Sequence, residues 1–525
     1  MSASNILATS MSDNLAGLFD PVEIAHDENT PMLILESADI ITKLSEKSMV
    51  LLDLALKIEA RDNRIDISVM IPEAQGLLDI FAEAFEGFII ERKSQSLSIF
   101  MPPLYDQLDM LAKMKSRSAL DILRVALKSI IPHDSKYQES LMITGVFAYD
   151  FLDHFEKLPT AKQDLLYLPD FLFYVPLTVI ILDHKHERTT VCVHALGEAQ
   201  EFLAKRLFKA RTKVEKALLS YKKPVNIKAM SALDPATYQV DVDEASFGEL
   251  VERCKEYIRA GDVYQIVPSR TFSRPIQDIL GSYRALRSLN PSPYMFYVRT
   301  EDWTLFGASP ETFIKVDNGG TRVSIRPIAG TRRRGLDSQG LVDQELDARE
   351  QASLCLDEKE LAEHMMLVDL ARNDIASIAQ PSSRRISRLL GVDRFSHVMH
   401  LVSEVEGILR ENCDALSAFQ ASMNMGTLMG APKVRAAELL RILENSKRGF
   451  YGGAVGYINQ CGDMDTAIII RSAVVKNKHA YVRAGCGVVY DSERAFEVRE
   501  TINKAEAVLK AIDIASRASR ASVAT

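Results

Sequence analysis

Tyr294-Met-Phe-Tyr-Val-Arg-Thr-Glu-Asp-Trp-Thr-Leu-Phe-Gly-Ala-Ser-Pro-Glu-Thr-Phe-Ile-Lys-Val-Asp-Asn-Gly-Gly-Thr-Arg-Val-Ser-Ile-Arg-Pro-Ile328 is a series of short apolar runs cut by Asp, Asn, Gly and Pro. Runs rich in β-branched and aromatic residues between such clusters predict strands, here at 294–298, 304–306, 311–316 and 321–328. Upstream, Ser246-Phe-Gly-Glu249 reads as a capping box that opens a helix to about Ala260. A strand over 263–270, a helix from about Ile279 and the break Asn290-Pro-Ser-Pro293 follow. Strands joined by tight turns and interleaved with helices predict an α+β fold with antiparallel sheets.

Downstream, Asp357-Glu-Lys-Glu-Leu-Ala-Glu-His-Met-Met-Leu-Val-Asp-Leu-Ala-Arg-Asn-Asp374 has an acidic opening and then helical periodicity. Asp357 can cap the first turn, and Leu361, Met365 and Val368 have the spacing of a buried face. Glu360 and Glu363 lie one turn apart, close enough to act on one ligand. Near the C-terminus, Val498, Ile502, Ala505, Leu509 and Ile512 form a second stripe, flanked by Glu497, Glu500 and Lys504. Two carboxylate-bearing helices suit a Mg²⁺-type site completed by water and an anionic substrate. A capping box at Asp357 and Glu360 and an ordinary solvated face explain the same residues, so spacing alone leaves both readings open.

The first half reads mostly as strands, at 32–37, 50–58, 64–70, 141–149, 171–182 and 189–194, followed by a helix over 198–221 with Phe202, Leu203, Leu207 and Val214 on its apolar side. The divisions expected are an N-terminal region 1–221, a linker 222–242, a second region 243–515 and a flexible tail 516–525.

Composition narrows the function. A chain of 525 residues exceeds one ordinary core, and 63 Lys plus Arg against 71 Asp plus Glu give a formal charge of −8. That balance disfavours general nucleic-acid or anionic-membrane binding. The apolar run 171–182 is interrupted by Pro176 and too short to span a bilayer, and the N-terminal residues lack the pattern of an export signal, so a cytoplasmic protein is expected. Six dispersed cysteines without a Cys-x-x-Cys pair fit reduced thiols. His184 and His186 sit in a turn-like segment and read as surface residues.

Other residues carry possible chemistry. Arg471 lies in 466–475, apolar on both faces, so its guanidinium should be buried and require an anion. In Arg483-Ala-Gly-Cys-Gly-Val488 the glycines allow backbone N–H groups close to a carboxylate, although an internal salt bridge and a β-bulge fit these segments as well. Cys486 reads as a small packed residue. Gly426 to Lys433 is Gly-rich but lacks the ending of a phosphate loop. His400, in an apolar run, fits either a core histidine or a proton-transfer group.

Taken together, these segments resemble the chorismate-utilising enzymes, and among them the component I family of anthranilate synthase. The resemblance runs through Leu35-Glu-Ser37, Tyr264 to Arg270, Asn290 to Phe296, Phe306 to Glu311, Pro327 to Arg332, Asp357 to Asp374, Met423 to Thr427, Tyr451-Gly-Gly453, Ile470-Arg-Ser472, Ala484 to Gly487 and Glu500 to Lys504. It implies large antiparallel sheets packed as a sandwich with helices outside. It also implies Mg²⁺-dependent conversion of chorismate and ammonia to anthranilate and pyruvate, the first committed step of tryptophan biosynthesis.

By the same resemblance Glu363 and Glu500 would hold the ion with Glu360 nearby. Tyr451, Arg471, Gly485, Cys486 and Gly487 would receive the enolpyruvyl carboxylate, and Gly330 and Thr331 would line the ring. Glu311 is the candidate general acid, and His400, expected beside Thr427, the candidate for pyruvate elimination. Ser37, Pro293, Tyr294 and Met295 resemble a tryptophan feedback site.

Relatives that use water carry a lysine where this chain has Gln265, and aminodeoxychorismate synthases typically carry one at Ala329, so free ammonia is the expected nucleophile. Its expected source is a separate glutamine amidotransferase, component II, in a hetero-oligomer such as a heterotetramer. The alternatives are a 2-amino-2-deoxyisochorismate synthase and a catalytically inactive tryptophan-binding regulator. Arg333, Cys486 and Ala467 depart from the usual family residues.

Overall fold

The computed structural model describes residues 5–523 except 28–29, 38–46, 105–111, 114–115, 198–200, 221–237, 338–340 and 396–397. The strands of the opening stretch form at Tyr294–Arg299, Trp303–Ser309 and Thr312–Asp317. Two expected strands are divided at prolines, which lack the N–H a ladder needs. The 321–328 run becomes Arg322–Ile325 and Ile328–Arg333 around Pro327. The 263–270 run becomes Gln265–Ile266 and Ser269–Pro275 around Pro268. The 466–475 run also divides, into Met464–Ile468 and Ser472–Lys476, because Arg471 takes a left-handed backbone with φ +50°.

The long strand Phe171–Asp183 joins two antiparallel runs. One passes through Lys47–Arg61, Met32–Glu36, Tyr294–Arg299, Trp303–Ser309, Ser472–Lys476 and His479–Gly485 to Ser269–Pro275. The other passes through Met142–Phe147, Ala454–Asn459, Met464–Ile468, Thr312–Asp317 and Arg322–Ile325 to Val398–Ile408. Sequence-distant halves thus share one hydrogen-bonded framework. Residues 222–237 of the expected linker lie outside the described residues, and Gln239–Val240 already pairs with Ser269–Pro275.

Alternation along the strands explains the layering, since successive side chains point to opposite faces. Leu33, Leu51, Phe296, Val298, Leu305 and Val474 join a core made by strands and loops. Their neighbours Ile34, Val50, Tyr297, Phe306 and Val475 pack with the helices Glu201–Ser220, Ile279–Leu289 and Arg494–Val523. Strands buried on both faces with helices outside give the expected α+β architecture. The last helix includes residues 516–523, the part of the expected tail that the structure describes.

Asp357 caps the Glu358–Ile378 helix by accepting from the Glu360 amide at 3.1 Å. The buried side of that helix, however, is His364, Leu367, Val368, Ala371, Ile375 and Ile378, while Met365 is exposed. The polar His364 is accommodated because its Nε2 bonds Ser403 Oγ at 2.7 Å. The Glu244–Arg259 helix is capped by Asp243, not Ser246, whose amide donates to Asp243 at 2.8 Å. Phe202 is exposed, and Leu203, Ala210, Val214 and Ala217 form the inner face of its helix.

Candidate active site

Elements from the whole second half converge on a cavity of 390 Å³. Its lining includes Glu311, Gly330, Thr331, Glu360, Glu363, His400, Thr427, Tyr451, Arg471, Gly485, Gly487, Glu497, Glu500 and Lys504. All the expected catalytic, metal and substrate positions therefore meet here apart from Cys486, which is fully buried between the two lining glycines.

Glu311, at the turn between Trp303–Ser309 and Thr312–Asp317, is buried and its Oε1 has no hydrogen-bond partner. Burial pushes its carboxyl up to about 8, against the weaker opposing pull of Thr427 and Lys504. Glu311 is thus a protonated acid near neutral pH. Thr427 neighbours Glu311 and lines the same cavity as His400, whose Nδ1 pairs with Thr331 Oγ1 at 2.9 Å. The reason is register, because His400 and Thr331 are cross-strand partners in Val398–Ile408 and Ile328–Arg333. Burial lowers the His400 imidazole to about 4, leaving it neutral and able to accept a proton.

Carboxylates crowd one side of the cavity. Burial, then the nearby Glu360 and Glu500, raise Glu363 to about 7 despite Lys359. Burial followed by Glu500 does the same to Glu497, whose Oε2 is buried without a partner. Burial also opposes charge on Glu500, but Lys504, at 2.9 Å, is the main influence that holds it below its ordinary value. Glu360 receives Arg332 Nη1 at 3.1 Å. Among the described residues no three His, Cys, Asp or Glu side chains form a ready-made metal cage. Mutually repelling carboxylates, one with an orphaned buried oxygen, fit a hard cation that takes few protein ligands and completes its shell with water and substrate.

The opposite charge lies close by. Arg471 donates to the Lys504 carbonyl at 3.1 Å and forms no ion pair among the described residues. Burial lowers its pKa, with Glu500 and Tyr451 opposing, so the guanidinium has unspent capacity for an anion. Its left-handed backbone is of the strained kind found at binding sites. At Gly485 an added Cβ would stand 2.6 Å from the Pro268 carbonyl and 2.9 Å from the Tyr451 hydroxyl, and at Gly487 2.6 Å from the Gln265 amide. At Gly485 the clash is with backbone, so glycine is required there, whereas at Gly487 the neighbour is the end of the flexible Gln265 side chain.

Lys504, Glu497 and Arg332 were visible in the sequence but carried no assigned role. The i, i+4 spacing of Glu500 and Lys504 was the available signal. Lys433, in the Gly-rich segment, is bonded to Asp374 at 2.6 Å and so serves an internal pair.

A second cavity, of 290 Å³, is bordered by Glu36, Tyr294, Met295, Phe296, Val455 and Ala467. Beside it Ser37 is buried with its hydroxyl unpartnered, and Pro293 is buried next to Tyr294. Ser37 N donates to Ser48 Oγ at 3.1 Å, and Ser48 Oγ meets His184 Nε2 at 2.7 Å, so His184 is half-buried and not the surface residue expected. Of the three departures, Ala467 borders this second cavity, Cys486 is packed and Arg333 is exposed.

Residues 91–510 match a family described as chorismate binding enzyme. The chain is 43% identical over 500 residues to anthranilate synthase component 1 of Vibrio cholerae, covering 94% of each chain. It is 42% identical over 490 residues to that of Escherichia coli, covering 93% of this chain and 92% of the relative. Among solved structures, anthranilate synthase component I of Streptococcus pneumoniae superposes with a TM-score of 0.66 at 31% identity, covering 89% of this chain and 92% of that one. The menaquinone-specific isochorismate synthase of Escherichia coli shares the fold, with a TM-score of 0.64 at 16% identity over 97% and 95% of the two chains.

Proposed function

The chain belongs to the chorismate-binding enzymes, and on that basis we propose that it carries out the anthranilate synthase reaction as the large subunit. Chorismate and ammonia give anthranilate, pyruvate and water. The observation that carries the reading is one cavity joining a buried neutral acid, Glu311, an unpaired Arg471 and a carboxylate cluster. A substrate with two carboxylates and a poor leaving group, a ring hydroxyl, needs these three features together.

Arg471 and Tyr451, with backbone groups at Gly485 to Gly487, receive the enolpyruvyl carboxylate, while Gly330 and Thr331 line the ring. Glu311 gives its proton to the departing hydroxyl as ammonia attacks the ring. His400, neutral and aligned by Thr331, takes the ring proton that must leave as the enolpyruvyl group departs. Glu363 and Glu500 would hold Mg²⁺, with Glu360 and Glu497 adjacent. When bound, the ion neutralises the ring carboxylate and draws electron density toward it. No amine stands at Gln265 or Ala329, which leaves ammonia itself as the nucleophile.

Ammonia is mostly protonated near neutral pH, so a glutamine amidotransferase partner is the expected supplier, in keeping with relatives named as component 1. The second cavity is the place for tryptophan feedback: the unpartnered Ser37 hydroxyl and an acidic, aromatic lining suit an amino acid with an apolar side chain.

The test is an assay of purified chain with chorismate, Mg²⁺ and high ammonium at mildly alkaline pH, with and without tryptophan. Equimolar anthranilate and pyruvate, suppressed by tryptophan, is the expected result. An amino product without pyruvate would indicate a 2-amino-2-deoxyisochorismate synthase. Tryptophan binding without turnover would indicate a regulator.

A further inference from the structure

Behind the Tyr451 wall of the cavity lies a buried ionic cluster that the reaction itself does not use. Glu444, at the end of the Lys433–Leu443 helix, accepts five hydrogen bonds on one carboxylate. Ser269 donates its amide and hydroxyl at 2.9 and 2.7 Å, Arg448 donates Nη2 and Nε at 2.6 and 2.9 Å, and Arg483 donates Nη2 at 3.0 Å. Arg448 in turn donates to the carbonyls of Leu428 and Val267, both at 2.6 Å, and lies 5.8 Å from the Tyr451 ring centre. Arg483 donates to the Lys447 carbonyl at 2.7 Å.

The bonded segments are the ones that bear the cavity wall. Val267, Leu428 and Arg483 line it themselves, Leu428 follows Thr427, and Arg483 lies two residues before Gly485. From this geometry we infer that Glu444 is a positioning residue, setting the wall of Tyr451, Thr427 and Gly485 that receives a substrate carboxylate. A buried guanidinium holds its place only with saturated acceptors, and among the described residues Glu444 is the carboxylate that both arginines share. The inference rests on the proposed function, because the wall's ligand is taken to be chorismate.

The test measures KM and kcat for chorismate at saturating ammonium, together with thermal melting, in wild type, Glu444→Gln and Arg448→Lys. The lysine variant keeps the charge but loses the fork that spans Glu444, Leu428 and Val267. Expected is a rise in KM of about tenfold or more with kcat changed less than about threefold, because ground-state contacts are displaced. KM does not depend on how many molecules are folded. Lower melting temperatures with unchanged KM in both variants would therefore overturn the inference and leave a structural role. If Glu444→Gln cannot be purified folded, Arg448→Lys decides between these outcomes alone. A wild type that neither binds nor converts chorismate would instead refute the proposed function.

Discussion

A carboxyl group that stays protonated near neutral pH is unusual, and Glu311 does so because its surroundings supply one weak hydroxyl and a distant lysine in place of water. As a proton donor it should fail once ionised. The turnover rate, measured at constant free ammonia, should therefore fall as pH rises through about 8. Glu311→Gln should lower kcat by about 10²–10⁴-fold, the usual worth of a general acid. The same shift has a stability consequence. The folded-state pKa is raised, so its stabilising effect is complete below the ordinary value of 4.5 and is lost as pH rises toward about 8. Melting above that pH should occur at a higher temperature in Glu311→Gln than in wild type. For Glu363 the expected effect is on the ion: Glu363→Gln should weaken divalent-cation binding at least about tenfold, read by Mn²⁺ electron paramagnetic resonance without turnover.

Elements set these side chains in place through their ends. Asp357 caps the helix that carries Glu360 and Glu363 and also pairs with Arg332 at 2.6 Å. Asp357→Ala should reduce unfolding free energy by about 1–2 kcal/mol in urea titration, the cost of a lost cap. The end of His479–Gly485 depends on the absence of a side chain. Gly485→Ala would place a methyl group 2.6 Å from the Pro268 carbonyl and 2.9 Å from the Tyr451 hydroxyl. Since that wall has backbone on one side, Tyr451 must yield, and KM for chorismate should rise about tenfold or more, seen in steady-state kinetics. The expected unbroken strand over 466–475 is interrupted at Arg471, which lines the cavity. Its carbonyl still accepts from the Ala308 amide at 3.1 Å, extending the ladder by one pair, and the left-handed backbone ends the strand there.

For the whole molecule, strands from regions 1–221 and 243–515 share one hydrogen-bonded sheet. Tyr294–Arg299 pairs with Met32–Glu36, and Ala454–Asn459 with Met142–Phe147. A fragment of residues 243–525 would expose both edges and the apolar face that includes Phe296, Leu305 and Val455. Expressed alone, it should aggregate and show no cooperative melting by circular dichroism. The second cavity lies among those same strands, bordered by Met49 and Glu36 from one half and Tyr294 and Val455 from the other. No helix among the described residues is long and apolar enough to cross a membrane.

Period, caps and punctuation were legible in the chain because they are local. Alternation gave the strands, Asp357 gave a helix start, and motifs in order identified the family and the residues that line the cavity. Three matters depended on tertiary structure. Cross-strand register made Thr331 a hydrogen-bond partner of His400. Burial gave Glu311 its proton and raised Glu363, since desolvation depends on neighbours far away in sequence. Of the Glu444 cluster only the i, i+4 spacing of Glu444 and Arg448 is local, whereas Ser269 and Arg483 reach it from separate segments. A sequence encodes the period of each element directly, but the energy of a charge is set by what the packed fold puts around it.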